Sequence, residues 1–155
     1  MAGEMELVMK LTDKHYTISA AESCTGGLLA AAIVNVSGAS GVFECSYVTY
    51  ANKAKENLVS VSPETLSQYG AVSSQTAGEM ALGCAKEAGA DVGLSTTGIA
   101  GPDGGTPDKP VGLVYIGCAI HGKVVTERHI FSGDRLSVRK QAVEAALELA
   151  VHCLE

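Results

Sequence analysis

Strand-like and helix-like segments alternate along almost the whole chain, and this alternation constrains the fold more than any other feature. Apolar residues at helical spacing predict helices at 4–14, 28–36, 51–58, 74–88 and 134–154, with a shorter helix after Ser62-Pro63. Runs of β-forming residues predict strands at 16–20, 45–50, 92–97, 111–120 and 124–131. The last two strands, joined at His121-Gly122-Lys123, predict one C-terminal hairpin. We therefore expect an α/β fold, with three α/β/α layers around a mixed, mostly parallel sheet.

The length and composition indicate one folded domain. A chain of 155 residues is long enough to bury a core of its own, and no internal repeat or linker divides it. Hydrophobic residues make up 46% and charged residues 18%, which excludes an intrinsically disordered protein. We expect a single domain over residues 1–155.

Charge and cysteine usage exclude several classes of partner and site. The net charge of -6, the absence of a basic run and the 5% aromatic content argue against nucleic-acid binding. The five cysteines are widely spaced without a CxxC pair, and the four histidines are scattered, so we expect neither disulfides nor a metal site. These features predict reduced thiols in a cytoplasmic protein, and no apolar run is long enough to predict a membrane span.

Glycine is over-represented, with 18 residues, and many of the glycines follow predicted strands. The first such loop is Glu22-Ser23-Cys24-Thr25-Gly26-Gly27, between a predicted strand and a predicted helix. Strand ends and helix N-termini bind ligands in α/β proteins, and paired glycines let a ligand approach the backbone. The alternative is a tight turn that only connects strand to helix, with Thr25 as the N-cap.

Two further segments carry residues suited to nucleophilic catalysis. Ser40 is flanked by small residues, but a serine needs a neighbouring base, and no histidine lies near it in sequence. Lys53 or Lys55, just after a predicted strand, serves as a base if burial lowers its pKa. The plainer interpretation makes Ser40 a turn residue and both lysines solvated surface residues.

The third loop follows the strand that ends near Thr97. It contains Gly98, Gly101, Asp103, Gly104 and Gly105. Its exposed amides would suit an anion or a developing oxyanion, although a purely structural Ω-loop fits the composition as well. Near the last helix, Arg135 and Arg139 share one face and would reach a phosphate, or else lie free on the surface.

Read together, four motifs resemble the CinA C-terminal-domain family. They are AESCTGG, the GAS segment leading to VTYAN-x-AK, TGIAGPDGG followed by KPVG, and FSGDR-x-x-VR. They occur in the family's order, and the resemblance runs from about Thr12 to the C-terminus. Longer family members carry an additional N-terminal domain, so this chain resembles the single-domain form.

The resemblance implies hydrolysis of a non-peptide carboxamide: nicotinamide mononucleotide would yield nicotinate mononucleotide and ammonia, a step of pyridine-nucleotide salvage, without metal or cofactor. It also implies a serine–lysine arrangement. The matching catalytic positions are Ser40, Tyr50, Lys55 and Thr97, with Ser23 as the alternative nucleophile. Substrate binding would then fall to the loops, at Glu22, Ser23, Thr25, Gly26, Gly27, Gly98, Gly101, Asp103, Gly104, Gly105 and Arg135.

The function class and the oligomeric state stay open at this point. Family membership does not guarantee turnover, so the chain would alternatively be a nucleotide-binding or competence-related regulatory module without catalysis. The apolar composition also favours a homodimer over a monomer. A scaffold role is less favoured, because so many glycines and hydroxyl groups follow predicted strands.

Overall fold

Five strands form the middle layer of the computed structural model, which describes residues 2–155. They are β1 (Ile18–Glu22), β2 (Tyr47–Val48), β3 (Val92–Gly98), β4 (Leu113–Ile120) and β5 (Lys123–Ile130). Their order in the sheet is β2-β1-β3-β4-β5. β2, β1 and β3 run parallel to one another, whereas β3, β4 and β5 pair antiparallel. The sheet is therefore mixed, and its parallel part is built by the first strands of the chain.

Among the described residues 2–155, six α-helices cover the two faces of this sheet. They are α1 (Ala2–Lys14), α2 (Leu28–Val34), α3 (Asn52–Val59), α4 (Pro63–Tyr69), α5 (Ser74–Ala88) and α6 (Arg135–Cys153). α1, α2 and α6 pack together on one face, and α5, with α3 and α4 beside it, covers the other. This arrangement confirms the predicted three-layer α/β/α fold. Within the described part of the chain, no helix has the length and apolar character to span a membrane.

Two helix starts have the capping side chains that the sequence patterns predict. Ser62 caps α4, with Pro63 at its first position, and Asp134 accepts the Ser137 amide at 2.9 Å to cap α6. Two adjacent serines, Ser73 and Ser74, are candidate caps at the start of α5. Ser73 is the cap, because its extended backbone aims its hydroxyl at the Thr76 amide, 3.1 Å away. Propensity alone does not distinguish two adjacent serines.

The predicted strand at 45–50 is shorter in the structure. Only Tyr47 and Val48 pair with β1, opposite Ala21 and Glu22. β2 is therefore a short edge strand, and the chain leaves it at the carboxyl end of β1. The predicted hairpin is confirmed, with His121 and Gly122 as a two-residue turn between β4 and β5.

Helix α5 lies unusually close to the sheet because two strand residues beneath it lack side chains. A Cβ atom at Gly93 would lie 2.0 Å from the Ala81 carbonyl oxygen, and one at Gly117 would lie 2.5 Å from that of Ala77. Both distances are far below van der Waals contact, so these positions accept only glycine at the observed spacing. Some of the glycine excess thus serves helix–sheet packing and not the loops.

Candidate active site

A pocket of about 330 Å³ opens at the carboxyl ends of the three parallel strands. Its lining comes from the segments that follow β1, β2 and β3, from residues 71–72 ahead of the helix at 74–88, and from the start of α6. Residues brought together there are Ser23, Cys24, Tyr50, Asn52, Lys55, Ala71, Val72, Thr97, Gly98, Ile99, Ala100, Gly101, Asp103, Gly104 and Arg135. Parallel strands end at the same edge of a sheet, which is why segments distant in sequence meet at this site.

Lys55 is the most unusual residue of the pocket, because its side chain is only 1% exposed. It lies in α3, and its Nζ contacts the Thr49 carbonyl oxygen at 2.8 Å and the Tyr50 carbonyl oxygen at 3.4 Å. Among residues 2–155, no carboxylate forms an ion pair with it. A buried ammonium without a counter-charge is costly, and burial lowers the pKa of Lys55 to about 8.

Ser23 is the serine that Lys55 reaches. Its Oγ lies 3.1 Å from Nζ of Lys55, and its side chain is buried at the first position after β1. In the neutral amine, two N–H groups can donate to the carbonyls of Thr49 and Tyr50, which directs the lone pair toward Ser23. The arrangement suits proton transfer from the serine hydroxyl to the amine, as nucleophilic catalysis by serine requires.

The turn that carries Ser23 is fixed from below by a buried carboxylate. Glu22 is fully buried and caps α2. Its carboxylate accepts from the Thr25 hydroxyl at 2.6 Å and from the amides of Gly27, Leu29 and Ala30 at 2.9 to 3.1 Å. The Thr25 Oγ1 also lies 2.7 Å from that of Thr96. Thus Glu22, and not Thr25, stabilises the N-terminus of this helix.

The same turn is held from the side by Arg139 of α6. Its guanidinium donates to the carbonyl oxygens of Cys24 at 2.9 Å and Thr25 at 3.1 Å. The Ser23 carbonyl accepts from the Gly26 amide. A peptide N–H points away from the carbonyl of the same peptide plane, so the Cys24 amide points away from this last contact. Neither the Cys24 nor the Thr25 amide has a hydrogen-bond partner within residues 2–155.

Cys24 itself does not suit a nucleophilic role. Burial raises the pKa of its thiol to about 11, so the thiol stays protonated at neutral pH. Its side chain is 6% exposed and lines the pocket beside Ser23. Cys24 therefore offers its backbone amide, and not a thiolate, to this part of the site.

Tyr50, Thr97 and Arg135 complete the walls of the pocket. Arg135 donates to the Gly101 carbonyl at 2.7 Å and to the Tyr50 hydroxyl at 3.3 Å, which ties α6 to two loops. Tyr50 thus offers its carbonyl to Lys55 and its hydroxyl to Arg135. Thr97 donates its hydroxyl to the Ala71 carbonyl at 2.8 Å. The third loop, with Asp103, covers the opposite side.

The structure separates Ser40 from Lys55. Ser40 is exposed on a short 3-10 turn, Ala39–Gly41, and borders another cavity of about 340 Å³. The chain right after this turn pairs with the start of β1, where the Ile18 amide donates to the Val42 carbonyl at 2.8 Å. Ser40 therefore lies near the amino end of β1, whereas the pocket is at the carboxyl end. The lysine contact expected for Ser40 is corrected to Ser23.

Several residues expected to touch substrate do not line the pocket within the described chain. They are Glu22, Thr25, Gly26, Gly27 and Gly105. The first four build the turn beneath Ser23, and Gly105 packs against Val111. Sequence reasoning missed Asn52, which begins α3 in the pocket wall. Its position at the start of the helix that follows the parallel strand β2 is the signal that would have identified it.

Comparisons with known proteins find matches over most of the chain. The family model described as CinA C-terminal domain matches residues 2–154. A putative competence-damage inducible protein of Clostridium novyi (strain NT) is 57% identical over 138 residues, covering 89% of this chain and 33% of the relative. The chain spans about a third of the length of such relatives.

Two further matches cover nearly all of both chains. A protein named nicotinamide-nucleotide amidohydrolase PncC, from Enterobacter agglomerans, is 51% identical over 148 residues, which cover 95% of this chain and 90% of the relative. The crystal structure of competence/damage inducible protein CihA from Agrobacterium tumefaciens has a TM-score of 0.96 and 37% identity. That match covers 99% of this chain and 94% of the other.

Proposed function

Because this chain belongs to the CinA C-terminal domain family, we propose that it is a nicotinamide-nucleotide amidase that uses Ser23 and Lys55. The substrate would be nicotinamide mononucleotide, and the products nicotinate mononucleotide and ammonia. The similarity to a full-length relative named as a nicotinamide-nucleotide amidohydrolase supports the substrate class. The serine–lysine mechanism is supported by the contact of 3.1 Å between Nζ of the buried Lys55 and Oγ of Ser23.

Acylation begins when neutral Lys55 takes the proton of the Ser23 hydroxyl. The serine oxygen then attacks the carboxamide carbon, and the carbonyl oxygen becomes an oxyanion. Lys55, now an ammonium, gives its proton to the departing nitrogen, so that ammonia leaves and an ester to Ser23 remains. With a pKa of about 8, roughly a tenth of Lys55 is neutral at pH 7, enough to start the reaction.

Deacylation reverses these roles. Lys55 takes a proton from a water molecule, the hydroxide attacks the ester carbon, and the ammonium returns a proton to Ser23 as the carboxylic acid product leaves. The partnerless Cys24 amide, next to Ser23 in the pocket wall, would donate to the oxyanion in both steps. One such donor contributes on the order of 3 kcal/mol to the transition state.

The anionic part of the substrate would lie toward the mouth of the pocket. Arg135 and Lys55 are the cationic side chains of the lining described above, and Lys55 is engaged at the buried end. Arg135 is exposed and is therefore available to a phosphate group. The loop containing Asp103 and Gly104 would face the ribose, where a carboxylate can accept hydrogen bonds from sugar hydroxyls.

Ammonia release from nicotinamide mononucleotide tests the proposal, with two neighbouring lysines as a matched pair. Lys55→Ala should lower kcat about a thousandfold, because it removes the general base. Lys53→Ala, an exposed lysine of the same helix, should leave kcat within about twofold. Equal kcat values for the two variants would contradict the serine–lysine mechanism.

The substrate itself is tested with the unmodified protein. Nicotinamide riboside and free nicotinamide should be hydrolysed poorly, because neither offers a phosphate to Arg135. Tight binding of nicotinamide mononucleotide without any ammonia release would instead support a non-catalytic nucleotide-binding module, the alternative that the sequence left open.

A further inference from the structure

The exposed edge of the sheet at β5 carries a surface that can pair with a copy of itself. Among residues 2–155, the eight residues Lys123–Ile130 form the last strand of the sheet, pair only with β4 and contain no proline or bulge. Val124 is 41% exposed and Val125 is 46% exposed. Long edge strands with apolar side chains invite pairing with another strand, and proteins usually protect them.

The outward backbone groups of β5 are free to pair. The Phe131 amide donates to the Gly112 carbonyl, so every second residue back from Phe131 directs its amide toward β4. The amides of Val124, Thr126 and Arg128 therefore point away from the sheet. Within residues 2–155, these three amides therefore have no hydrogen-bond partner. An antiparallel second copy presents the matching carbonyls.

The two faces of β5 have different surroundings. Val124 and Thr126 point toward α5, near Gly78. Val125 points toward α6 and borders an apolar groove of about 480 Å³, together with Cys118 and Cys153. A second copy placed beside β5 would extend this groove across the seam between the two strands. The apolar wall at Val125 would then be covered by the same residue of the other copy.

Charge favours the register centred on Val125 over the one centred on Glu127. When two copies pair antiparallel about Val125, Val125 faces Val125 of the second copy, and Lys123 faces Glu127 on either side. A shift of two residues, centred on Glu127, would instead place two glutamates opposite each other. Lys123 has no ion-pair partner within residues 2–155, whereas Glu127 contacts only His129 at 2.9 Å. Opposite charges on facing strand residues stabilise pairing, and like charges weaken it.

We propose that the chain forms a two-fold symmetric dimer through β5, centred on Val125 and secured by two Lys123–Glu127 pairs between the copies. The sheet then continues through both protomers as ten strands, and each copy covers the apolar edge of the other. The two active-site pockets lie away from this edge, on the strands β1, β2 and β3. The dimer is therefore independent of the proposed reaction.

Sedimentation velocity over a protein concentration series tests this interface. The wild-type chain should dimerise, and Lys123→Glu or Glu127→Lys alone should raise the dissociation constant about tenfold or more, since each makes both pairs repulsive. The double variant restores opposite charges and should return to within about threefold of wild type. Lys140→Glu and Glu144→Lys, the same charge changes on exposed positions of α6, should leave the constant unchanged.

Amide hydrogen exchange gives a second measurement that does not depend on any variant. The amides of Val124, Thr126 and Arg128 should exchange more slowly at concentrations where the dimer forms, and quickly in the monomer. A wild-type chain that stays monomeric at all concentrations would overturn the proposal. So would a dimer that is as stable in both single variants as in their α6 controls.

Discussion

The parallel and antiparallel parts of the sheet treat polar groups in opposite ways. At the carboxyl ends of β1, β2 and β3, the buried Lys55 contacts Ser23 in the wall of a pocket, and the adjacent Cys24 amide has no hydrogen-bond partner within residues 2–155. Between β3 and β4, each strand residue instead pairs in an unbroken antiparallel ladder. The parallel part thus brings polar side chains together at a pocket, where they can take part in chemistry, while the antiparallel part supplies a well-paired frame.

The difference follows from topology. Parallel strands need long connections, so each strand end is followed by a loop and a helix start, and these collect at one edge. Antiparallel neighbours such as β4 and β5 are joined by two residues, His121 and Gly122, which leaves no room for a site. Substitutions in the first part should therefore change turnover, whereas substitutions in the second should change stability.

The largest effect is expected for Ser23. Ser23→Ala should reduce kcat for ammonia release at least a thousandfold while leaving the melting temperature nearly unchanged, because it removes the nucleophile and only one hydroxyl. Ser40→Ala is the matched control on the other end of β1 and should keep wild-type kcat. If Ser40→Ala lost activity and Ser23→Ala kept it, the assignment of the nucleophile would be reversed.

A framework glycine should show the opposite behaviour. Gly93→Ala forces a Cβ against the Ala81 carbonyl under α5 and should lower the free energy of unfolding by about 3 kcal/mol. Gly41→Ala adds the same methyl group where no heavy atom lies within 4 Å, so its effect should stay below about 0.5 kcal/mol. Urea denaturation followed by circular dichroism measures both. Equal losses would show that α5 can move away from the sheet at little cost.

Substitution of Lys55 should change both turnover and stability. Lys55→Met removes a buried charge, so at pH 7 it should raise the free energy of unfolding by about 2 kcal/mol while abolishing turnover. Its pKa is about 8 in the folded chain and near 10.5 when unfolded. The unfolded state therefore binds more protons between these values, and wild-type stability rises with pH there. Thermal melts should show the advantage of Lys55→Met shrinking as pH rises from 8 toward 10.5. A constant difference would mean that burial does not shift the pKa of Lys55 between the unfolded and the folded chain.

The smallest effect is the pH dependence of the reaction. Because only neutral Lys55 accepts the serine proton, kcat/KM should rise about tenfold per pH unit below pH 8 and level off above it. Initial rates of ammonia release across this range measure the profile. A rate that falls on going from pH 7 to pH 9 would contradict a lysine base.

Helices and strands with clear local signals could be predicted from the sequence. Ser62-Pro63 and Asp134 predict helix starts, because their side chains suit the first positions of a helix. Gly89, with a φ of 64°, ends α5, because glycine readily adopts this left-handed conformation. The exact cap of α5 and the two-residue length of β2 depend on tertiary pairing, which local patterns do not report. The fold class can therefore be predicted from the sequence, whereas the ends of some helices and strands cannot.

The sequence predicts which loops form the site, but not which side chains contact one another there. Lys55 and the loop containing Ser23 were both identified, but the lysine was assigned to Ser40. The serine that contacts Lys55 depends on which end of β1 lies beside the chain between α2 and β2. The pairing of Phe43 with Ile18 places that segment at the amino end of β1, and local sequence patterns do not show this pairing. Likewise, the contact of Arg139 with Cys24 spans 115 positions and has no local signature.

That last contact has a consequence for how the protein acquires its activity during folding. Arg135 and Arg139 belong to α6, which follows every other described element, yet both reach loops formed near the beginning or middle of the chain. Contacts between residues so distant in sequence form slowly, because the intervening chain must first be ordered. The turn that carries Ser23 should therefore reach its final shape only when α6 docks. Partly folded chains would contain both the serine and the lysine but not a working site.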